Sequence, residues 1–152
     1  MTTLERIGFM QGRLSAMVDG KIQAFPWNEW REEFPRACAL GLRRIEWTID
    51  QEGLRDNPLN TAAGQQEIIE LSRRNDLKPA SLTGDCFMQA PFWKTDGETR
   101  KSLIDDLDLV LSSCSTLGMS SCGGSRSSKA RRRARPSGSV VGAAAAGVGA
   151  SA

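Results

Sequence analysis

Histidine is absent from the 152-residue sequence, which excludes His-based catalytic triads, His-ligated zinc and imidazole acid–base catalysis. An apolar signal core is also missing, because the charged Glu5 and Arg6 stand near the N-terminus. The uncharged residues 140–152 are mostly Ala and Gly, too few and too weakly apolar to span a bilayer. We therefore expect a cytoplasmic protein that makes no membrane contact.

The spacing of a zinc site or a disulfide framework is lacking as well. No CxxC pair occurs among the four cysteines, and no histidine accompanies them. This favours a reducing compartment and small, buried thiols over metal binding or cross-linking. The cysteines are Cys38, Cys86, Cys114 and Cys122.

Acidic residues are missing from residues 120–152, which hold six Lys and Arg side chains. Residues 1–119 therefore carry 14 of the 20 basic residues and all 18 acidic ones, so the net charge is −4 before the break and +6 after it. Every Trp, Phe, Leu and Ile also lies in residues 1–119. Only this part can build a hydrophobic core, and we expect residues 120–152 to form a disordered basic tail.

Three short apolar runs, beginning near Ile7, Arg43 and Pro79, recur at a spacing of 36 residues, and each is followed by a segment with helical periodicity. Strands that alternate with amphipathic helices are typical of right-handed βα units around a parallel sheet. A fourth strand is due at about residues 115–121. Residues 120–124 (SSCGG) lack the Val, Ile and Leu of a buried parallel strand, so the pattern is expected to stop there.

The first helix is expected to begin near Asn28, to bend at Pro35 and to end at Gly41. Its apolar positions form one stripe, which predicts the face that packs on the sheet. The members of this stripe are Trp27, Trp30, Phe34, Ala37 and Cys38.

Capping signals mark the other two helices. Thr61 is the expected N-cap of a helix that runs to about Asn75, and Thr95 with Glu98 forms an expected capping box for a third helix that ends at Gly118. The expected inward positions are Ile68, Ile69 and Leu71 in the second helix and Leu103, Leu107, Val110, Cys114 and Leu117 in the third.

Several segments of the first 119 residues carry a family resemblance: residues 7–15 (IGFMQGRLS), 19–27 (DGKIQAFPW), 40–41 (LG), 44–47 (RIEW), 83–88 (TGDCFM) and 90–92 (APF). They resemble the beginning of the sugar phosphate isomerase/epimerase family, which has the xylose isomerase-like TIM barrel. The resemblance covers nearly all of residues 1–119 and none of residues 120–152.

The resemblance implies a (β/α)8 barrel with its site at the carboxyl ends of the strands. It also implies a divalent metal (Mn, Mg or Zn) held by two Glu, an Asp and a His, and a sugar or sugar phosphate as the small-molecule partner. Carboxylates near the metal move a proton between neighbouring carbons through an enediolate. The family's ligands come from strands four to eight. We therefore expect a truncated barrel of three βα units that holds no metal, has no catalytic residues of its own and is inactive alone.

In the resemblance, five positions line the mouth of the barrel and are candidate substrate contacts. Gln11 and Arg13 follow the first strand, Glu46 and Trp47 end the second, and Asp85 ends the third. A structural role competes with binding at most of them: Arg13 could close a loop, Glu46 could pair with a basic neighbour, and Trp47 could be a packing residue.

A run of carboxylates on the third predicted helix does not converge on a strand end. Asp105, Asp106 and Asp108 are therefore expected to form a solvated face rather than a metal site.

Two interpretations compete for residues 120–152. In the first, residues 131–135 (RRRAR) are a basic arm that binds nucleic acid or an acidic surface, and the protein is a small α/β module. In the second, the tail is a translated shifted frame, because Ala, Arg, Gly, Ser and Pro dominate it. Codons permitted for residues 120–129, read one nucleotide earlier, encode LVRWIPLVE, an apolar strand at the place where the fourth is due. The second interpretation makes nucleic acid an unexpected partner, and the coding DNA decides between the two.

Overall fold

The computed structural model describes residues 7–21 and 24–123. Four strands form one sheet in the order β1 (Gly8–Met10), β2 (Arg44–Ile49), β3 (Lys78–Gly84) and β4 (Ser121–Gly123), and each neighbouring pair is parallel. The described part is therefore a mixed α/β protein with an open parallel sheet, as the alternation of strand and helix signals predicts. The basic cluster at residues 131–135 and the rest of residues 124–152 lie outside the described residues.

Helices connect the strands in sequence order. They are α1 (Glu33–Ala39), α2 (Ala62–Asn75), the short α3 (Cys86–Gln89) and α4 (Gly97–Thr116), with 3-10 turns at Pro58–Asn60 and Phe92–Lys94. Strand neighbours in the sheet are also neighbours in the chain. This order is what successive right-handed βα units produce.

The fourth strand corrects the expectation that the pattern stops after three units. Ser121, Cys122 and Gly123 pair in register with Ser81, Leu82 and Thr83. The 36-residue spacing predicts a strand near this position, but the composition does not. A short edge pairing depends on backbone hydrogen bonds, such as the one that Ser120 N–H donates to Ala80 O (3.2 Å), and so it tolerates Ser and Gly. The strand begins two residues after the expected domain boundary at residue 119.

The first helix begins five residues later than predicted. Residues 27–32 form turns, and α1 starts at Glu33. Pro35 consequently lies in the first helical turn, where a backbone N–H has no intrahelical acceptor, so the predicted bend is wrong. Trp30 and Phe34 are buried as predicted, whereas Trp27 precedes the helix and is 40% exposed.

The predicted N-cap is confirmed for α2 and wrong for α4. Thr61 caps α2 as predicted, since its Oγ1 accepts a hydrogen bond from Gly64 N (3.1 Å). The predicted capping box is wrong: Thr95 Oγ1 donates to Phe92 O instead, and α4 begins at Gly97. Of the predicted inward positions, Ile69 is exposed, while Ile68, Val110 and Cys114 are buried.

Asp106 departs from the predicted solvated face. It is only 6% exposed, and its Oδ1 lies 2.7 Å from Arg55 Nη2 in an ion pair. Asp105 and Asp108 are exposed as expected. The difference arises because α4 packs against the segment that precedes α2, which carries Arg55.

The core lies between one face of the sheet and the helices. Ile45, Trp47 and Ile49 alternate along β2 and are all fully buried, in one cluster with residues of α1, α2 and α4. Because successive side chains of a strand point to opposite faces, Arg44, Glu46 and Thr48 lie on the other face, where Arg44 is exposed, Glu46 is half-buried and Thr48 is buried. The sheet therefore has an apolar, covered face and a polar face that is open at the amino end of β2.

Two of the described thiols agree with the expectation of small, buried cysteines. Cys86 and Cys114 are buried and Cys38 is half-buried, and none of these three forms a disulfide within the described residues. Burial raises the pKa of the Cys86 thiol to about 12. The side chain of Cys122 lies outside what the structure describes.

A buried carboxylate organises the loop after β1. Glu33 is completely buried, and its Oε1 accepts hydrogen bonds from Gly12 N (2.8 Å), Leu14 N (3.0 Å) and Ser15 Oγ (3.1 Å). Burial raises the pKa of Glu33, and the backbone hydrogen bonds partly oppose that rise. The first residue of α1 thus ties the helix to the turn at the end of β1.

We predict that Glu33→Ala lowers the free energy of unfolding by about 1–3 kcal/mol, because it leaves the half-buried N–H donors of Gly12 and Leu14 without their acceptor. Urea denaturation measures the change. Glu32→Ala is the matched control, since Glu32 is exposed and adjacent in sequence. Equal losses in the two variants would contradict the role given to Glu33.

Candidate functional site

The carboxyl ends of the parallel strands bring three polar side chains to one edge of the sheet. Gln11 follows β1, Asp50 follows β2 and Asp85 follows β3. Ile49 and Gly84 are register partners, so Asp50 and Asp85 begin neighbouring loops at the same level. Ligand sites of open and closed parallel α/β folds lie at this edge.

Gln11 and Trp47, two of the predicted contacts, are fully buried. Gln11 Oε1 accepts a hydrogen bond from Thr48 N (3.2 Å), which joins β1 to β2. The Trp47 indole N–H donates to Asn57 Oδ1 (3.0 Å). Both side chains therefore support the site from within the protein rather than lining its surface.

Arg13 and Glu46 are accessible in different places. Arg13 is exposed in the turn after β1, where its N–H donates to Met10 O (3.2 Å). Glu46 is half-buried on the open face of the sheet and lines a shallow groove of about 370 Å³. Ser81 and Ser120 line the same groove.

Asp85 is the predicted contact with the most distinctive electrostatics. Burial raises its pKa, and the negative charges of Asp50 and Glu46 raise it further. Asp50 and Asp85 follow register partners, which places the Asp50 carboxylate where its charge reaches Asp85. The structure therefore brings Glu46 and Asp85 into one acidic neighbourhood, with Asp50 as an added member.

A cavity of about 520 Å³, called here the Trp27 cavity, lies at this edge beside the end of β2. Two aromatic side chains, four carboxylates, a lysine and an amide are among its walls. They are Phe25, Trp27, Asp19, Asp50, Glu52, Asp56, Lys21 and Gln89. None of the five residues predicted from the sequence lines it.

Asp50 holds the walls of the Trp27 cavity together. Its Oδ2 accepts a hydrogen bond from Phe25 N (2.9 Å), and its Oδ1 accepts one from Gln89 Nε2 (3.0 Å). Gln89 Oε1 in turn accepts from Gln51 N (2.8 Å). One carboxylate thus links the segment before α1, the end of β2 and the end of α3.

Trp27 is held edge-on to Phe25, with ring centroids 4.9 Å apart and planes at 76°. Gly53 leaves room for the indole, because a Cβ at that position would lie 2.7 Å from the Trp27 ring. Gly53 also has φ +69°, which disfavours any other residue there. The indole is fixed at the rim of the cavity and remains 40% exposed.

Sequence reasoning missed Asp50, Trp27 and Gln89 for separate reasons. The sequence predicts a second strand that ends with Glu46 and Trp47, two residues before Ile49, so Asp50 is not recognised as the first residue beyond the strand. Trp27 was assigned to a helix stripe. Gln89 ends a four-residue helix that carries no periodic signal. Only the position of Asp50 had a local cue, because it is an acidic residue directly after an apolar strand.

The metal that the family resemblance implies does not fit the described residues. They contain no group of three or more His, Cys, Asp or Glu side chains placed to hold an ion. The Asp50 oxygens are already occupied by Phe25 N and Gln89 Nε2. The acidic neighbourhood is therefore a set of hydrogen-bond acceptors and a source of negative potential in this part of the chain.

None of the helices in the described ranges has both the length and the apolar character needed to cross a bilayer. Comparisons with protein-family models, with curated proteins and with solved structures found no match to this chain.

We predict that Asp85 titrates above the ordinary aspartate value of 3.8, and that Asp50→Asn moves its pKa back towards that value by removing one of the charges that raise it. Carboxyl carbon NMR measures both midpoints. Asp105→Asn, an exposed change on α4, is the control and leaves the midpoint unchanged.

The raised pKa of Asp85 also predicts how the stability of the fold changes with pH. Because the folded pKa lies above the unfolded one, the contribution of Asp85 is fully present below the unfolded pKa and is lost as the pH rises through the folded pKa. A midpoint at or below 3.8 in the unmodified chain would contradict this account.

Proposed function

We propose that residues 7–123 are the sugar-facing part of a sugar or sugar-phosphate isomerase or epimerase built on a (β/α)8 barrel. The Trp27 cavity is its substrate-binding wall. The observation that carries the proposal is the position of this cavity at the carboxyl ends of consecutive parallel strands, between an exposed indole and a set of carboxylate and amide acceptors.

The order of the sheet supports a barrel. In β1 to β4 each strand pairs with the next one along the chain, and the buried cluster joins residues of α1, α2 and α4 to one face of β2. Repetition of that unit curves a sheet towards closure, with the helices outside. The polar face that carries Glu46 and Thr48 then becomes the interior of the barrel, beneath the site.

The walls of the Trp27 cavity suit a sugar. A volume of about 520 Å³ lies in the ordinary range for small-molecule sites. A pyranose or furanose ring has an apolar C–H face, which packs on an indole, and hydroxyl groups around its edge, which donate to carboxylate and amide oxygens. Trp27 offers the first kind of contact, and Glu52 and Asp56 offer the second.

Asp85 suits the proton transfer of an isomerase or epimerase. Burial and the charge of Asp50 raise its pKa. A carboxyl group exchanges protons most effectively when its pKa is near the working pH, and the rise moves Asp85 in that direction. A raised pKa in a strand-end carboxylate is also a common mark of a functional site. In this proposal Asp85 holds a proton at the strand end beside the Trp27 cavity, which it does not itself line, and Asp50 keeps the walls of the cavity in place.

A divalent metal that polarises a carbonyl belongs to the family that the chain resembles, but no step here is assigned to it. Its ligands are not among the described residues. We therefore expect the 152-residue chain to bind a sugar without interconverting aldoses and ketoses.

We predict that the full chain binds pentoses or hexoses weakly, at about millimolar concentration, with a change in tryptophan fluorescence. Trp27→Ala weakens binding by at least about tenfold, because it removes the aromatic wall. Trp93→Ala is the matched control: Trp93 is also exposed, at 52%, but does not line the cavity.

Two outcomes would overturn the proposal. One is the absence of binding to every sugar tested, and the other is equal binding by the Trp27 and Trp93 variants. Salt-dependent binding of duplex DNA that is lost when residues 126–135 are deleted would support the basic-arm function instead.

A further inference from the structure

From the charges on the Trp27 cavity, we infer that its ligand is a non-anionic polyhydroxyl compound, with an amino sugar preferred over the neutral sugar and the phosphorylated sugar disfavoured. The inference rests on the proposed function and narrows it, since it names the charge class of the substrate at this wall.

The charged side chains that line the cavity are mostly acidic. Asp19, Asp50, Glu52 and Asp56 contribute four carboxylates, and Lys21 contributes the one ammonium group among the described lining residues. No arginine lines the cavity in the part of the chain that the structure describes. A phosphate would therefore enter a region of negative potential without a guanidinium group among the described lining residues to bind it.

None of these four carboxylates takes part in an ion pair in the part of the chain that the structure describes. The ion pairs within residues 7–21 and 24–123 use other acids: Glu29, Glu67, Glu70, Asp76 and Asp106. Asp50 is hydrogen-bonded to neutral amide groups at Phe25 and Gln89. The negative potential at the cavity wall is consequently available to a ligand.

The aromatic wall also favours a cationic ligand over an anionic one, for an independent reason. The face of an indole carries negative electrostatic potential, so it attracts an ammonium group and repels a phosphate. The Trp27 indole packs against the Phe25 ring and over Gly53, which has no side chain to displace it. In this position Trp27 remains 40% exposed. A cationic group between Trp27 and the carboxylates of Glu52 and Asp56 would satisfy both kinds of wall at once.

Gln89 positions Asp50 without changing the charge of the cavity. Its amide bridges Asp50 Oδ1 and Gln51 N, so it keeps Asp50 in place without contributing charge. The cavity thus combines an acidic side in which Asp50 is held by hydrogen bonds, an aromatic side in which Trp27 packs on Phe25, and the single lysine Lys21 among its described lining residues. Such a combination discriminates ligands by charge more sharply than by ring shape.

The experiment uses the full 152-residue chain carrying Trp93→Phe, so that Trp27 is the exposed fluorophore that remains in the described residues. It is titrated with D-glucosamine, N-acetyl-D-glucosamine, D-glucose and D-glucose 6-phosphate at slightly acidic pH, where the amine is protonated. We expect glucosamine to bind at least about tenfold more tightly than glucose 6-phosphate. The two neutral sugars are expected to fall between them.

Two further measurements distinguish recognition of charge from recognition of ring shape. Raising the salt concentration reduces the difference in affinity between glucosamine and glucose 6-phosphate. The double variant Glu52→Gln and Asp56→Asn narrows it as well. The matched control, Asp105→Asn with Asp108→Asn on the exposed face of α4, leaves the gap unchanged.

The outcomes distinguish this inference from the proposed function. Binding of glucose 6-phosphate as tight as that of glucosamine would overturn the inference while leaving a sugar site intact. An amine preference that survives the double variant unchanged would also overturn it. Failure of all four sugars to bind would overturn the proposed function, and the inference with it.

Discussion

Trp47 joins the apolar side of the sheet to the segments that form the candidate site. Its indole lies 5.7 Å from the rings of both Phe25 and Trp30, and its N–H donates to Asn57 Oδ1. Asn57 uses the same oxygen to accept from Leu59 N, which starts the turn before α2. Burial of this ring is therefore coupled to the positions of the Phe25 segment before α1 and of the loop after β2. The Trp27 cavity lies between those two segments.

The polar contacts of the site depend on that packing. Asp50 can accept from Phe25 N because Trp47 and Phe25 share the core. Asp50 also holds Gln89 and raises the pKa of Asp85, so one residue at the end of β2 connects the cavity to the neighbouring strand end. The chemistry proposed for this edge thus follows from parallel strands that end at one level and from an aromatic cluster beneath them.

Most of the architecture was accessible from periodicity. The repeat of 36 residues, the cap at Thr61 and the helix stop at Gly118 correctly predicted where three strands and the later helices lie. The start of α1 and the capping box at Thr95 were wrong, since local turn chemistry competes with helix signals over a few residues. The strand β4 was missed on composition because its pairing requires backbone donors and acceptors rather than branched apolar side chains.

By itself, the sequence determined the alternation of strands and helices, the acidic character of residues 1–119 and the general location of polar residues after each strand. The tertiary structure decided which of those residues share a site. It placed Gln11 and Trp47 in the interior, left Arg13 exposed in a turn, and made Asp50, Trp27 and Gln89 neighbours across as many as 62 positions of the chain. Periodicity reports which face of an element is apolar, but it contains no information on which loops meet. That depends on the register of the strands and on the packing of Phe25, Trp30 and Trp47, which only the folded chain brings together.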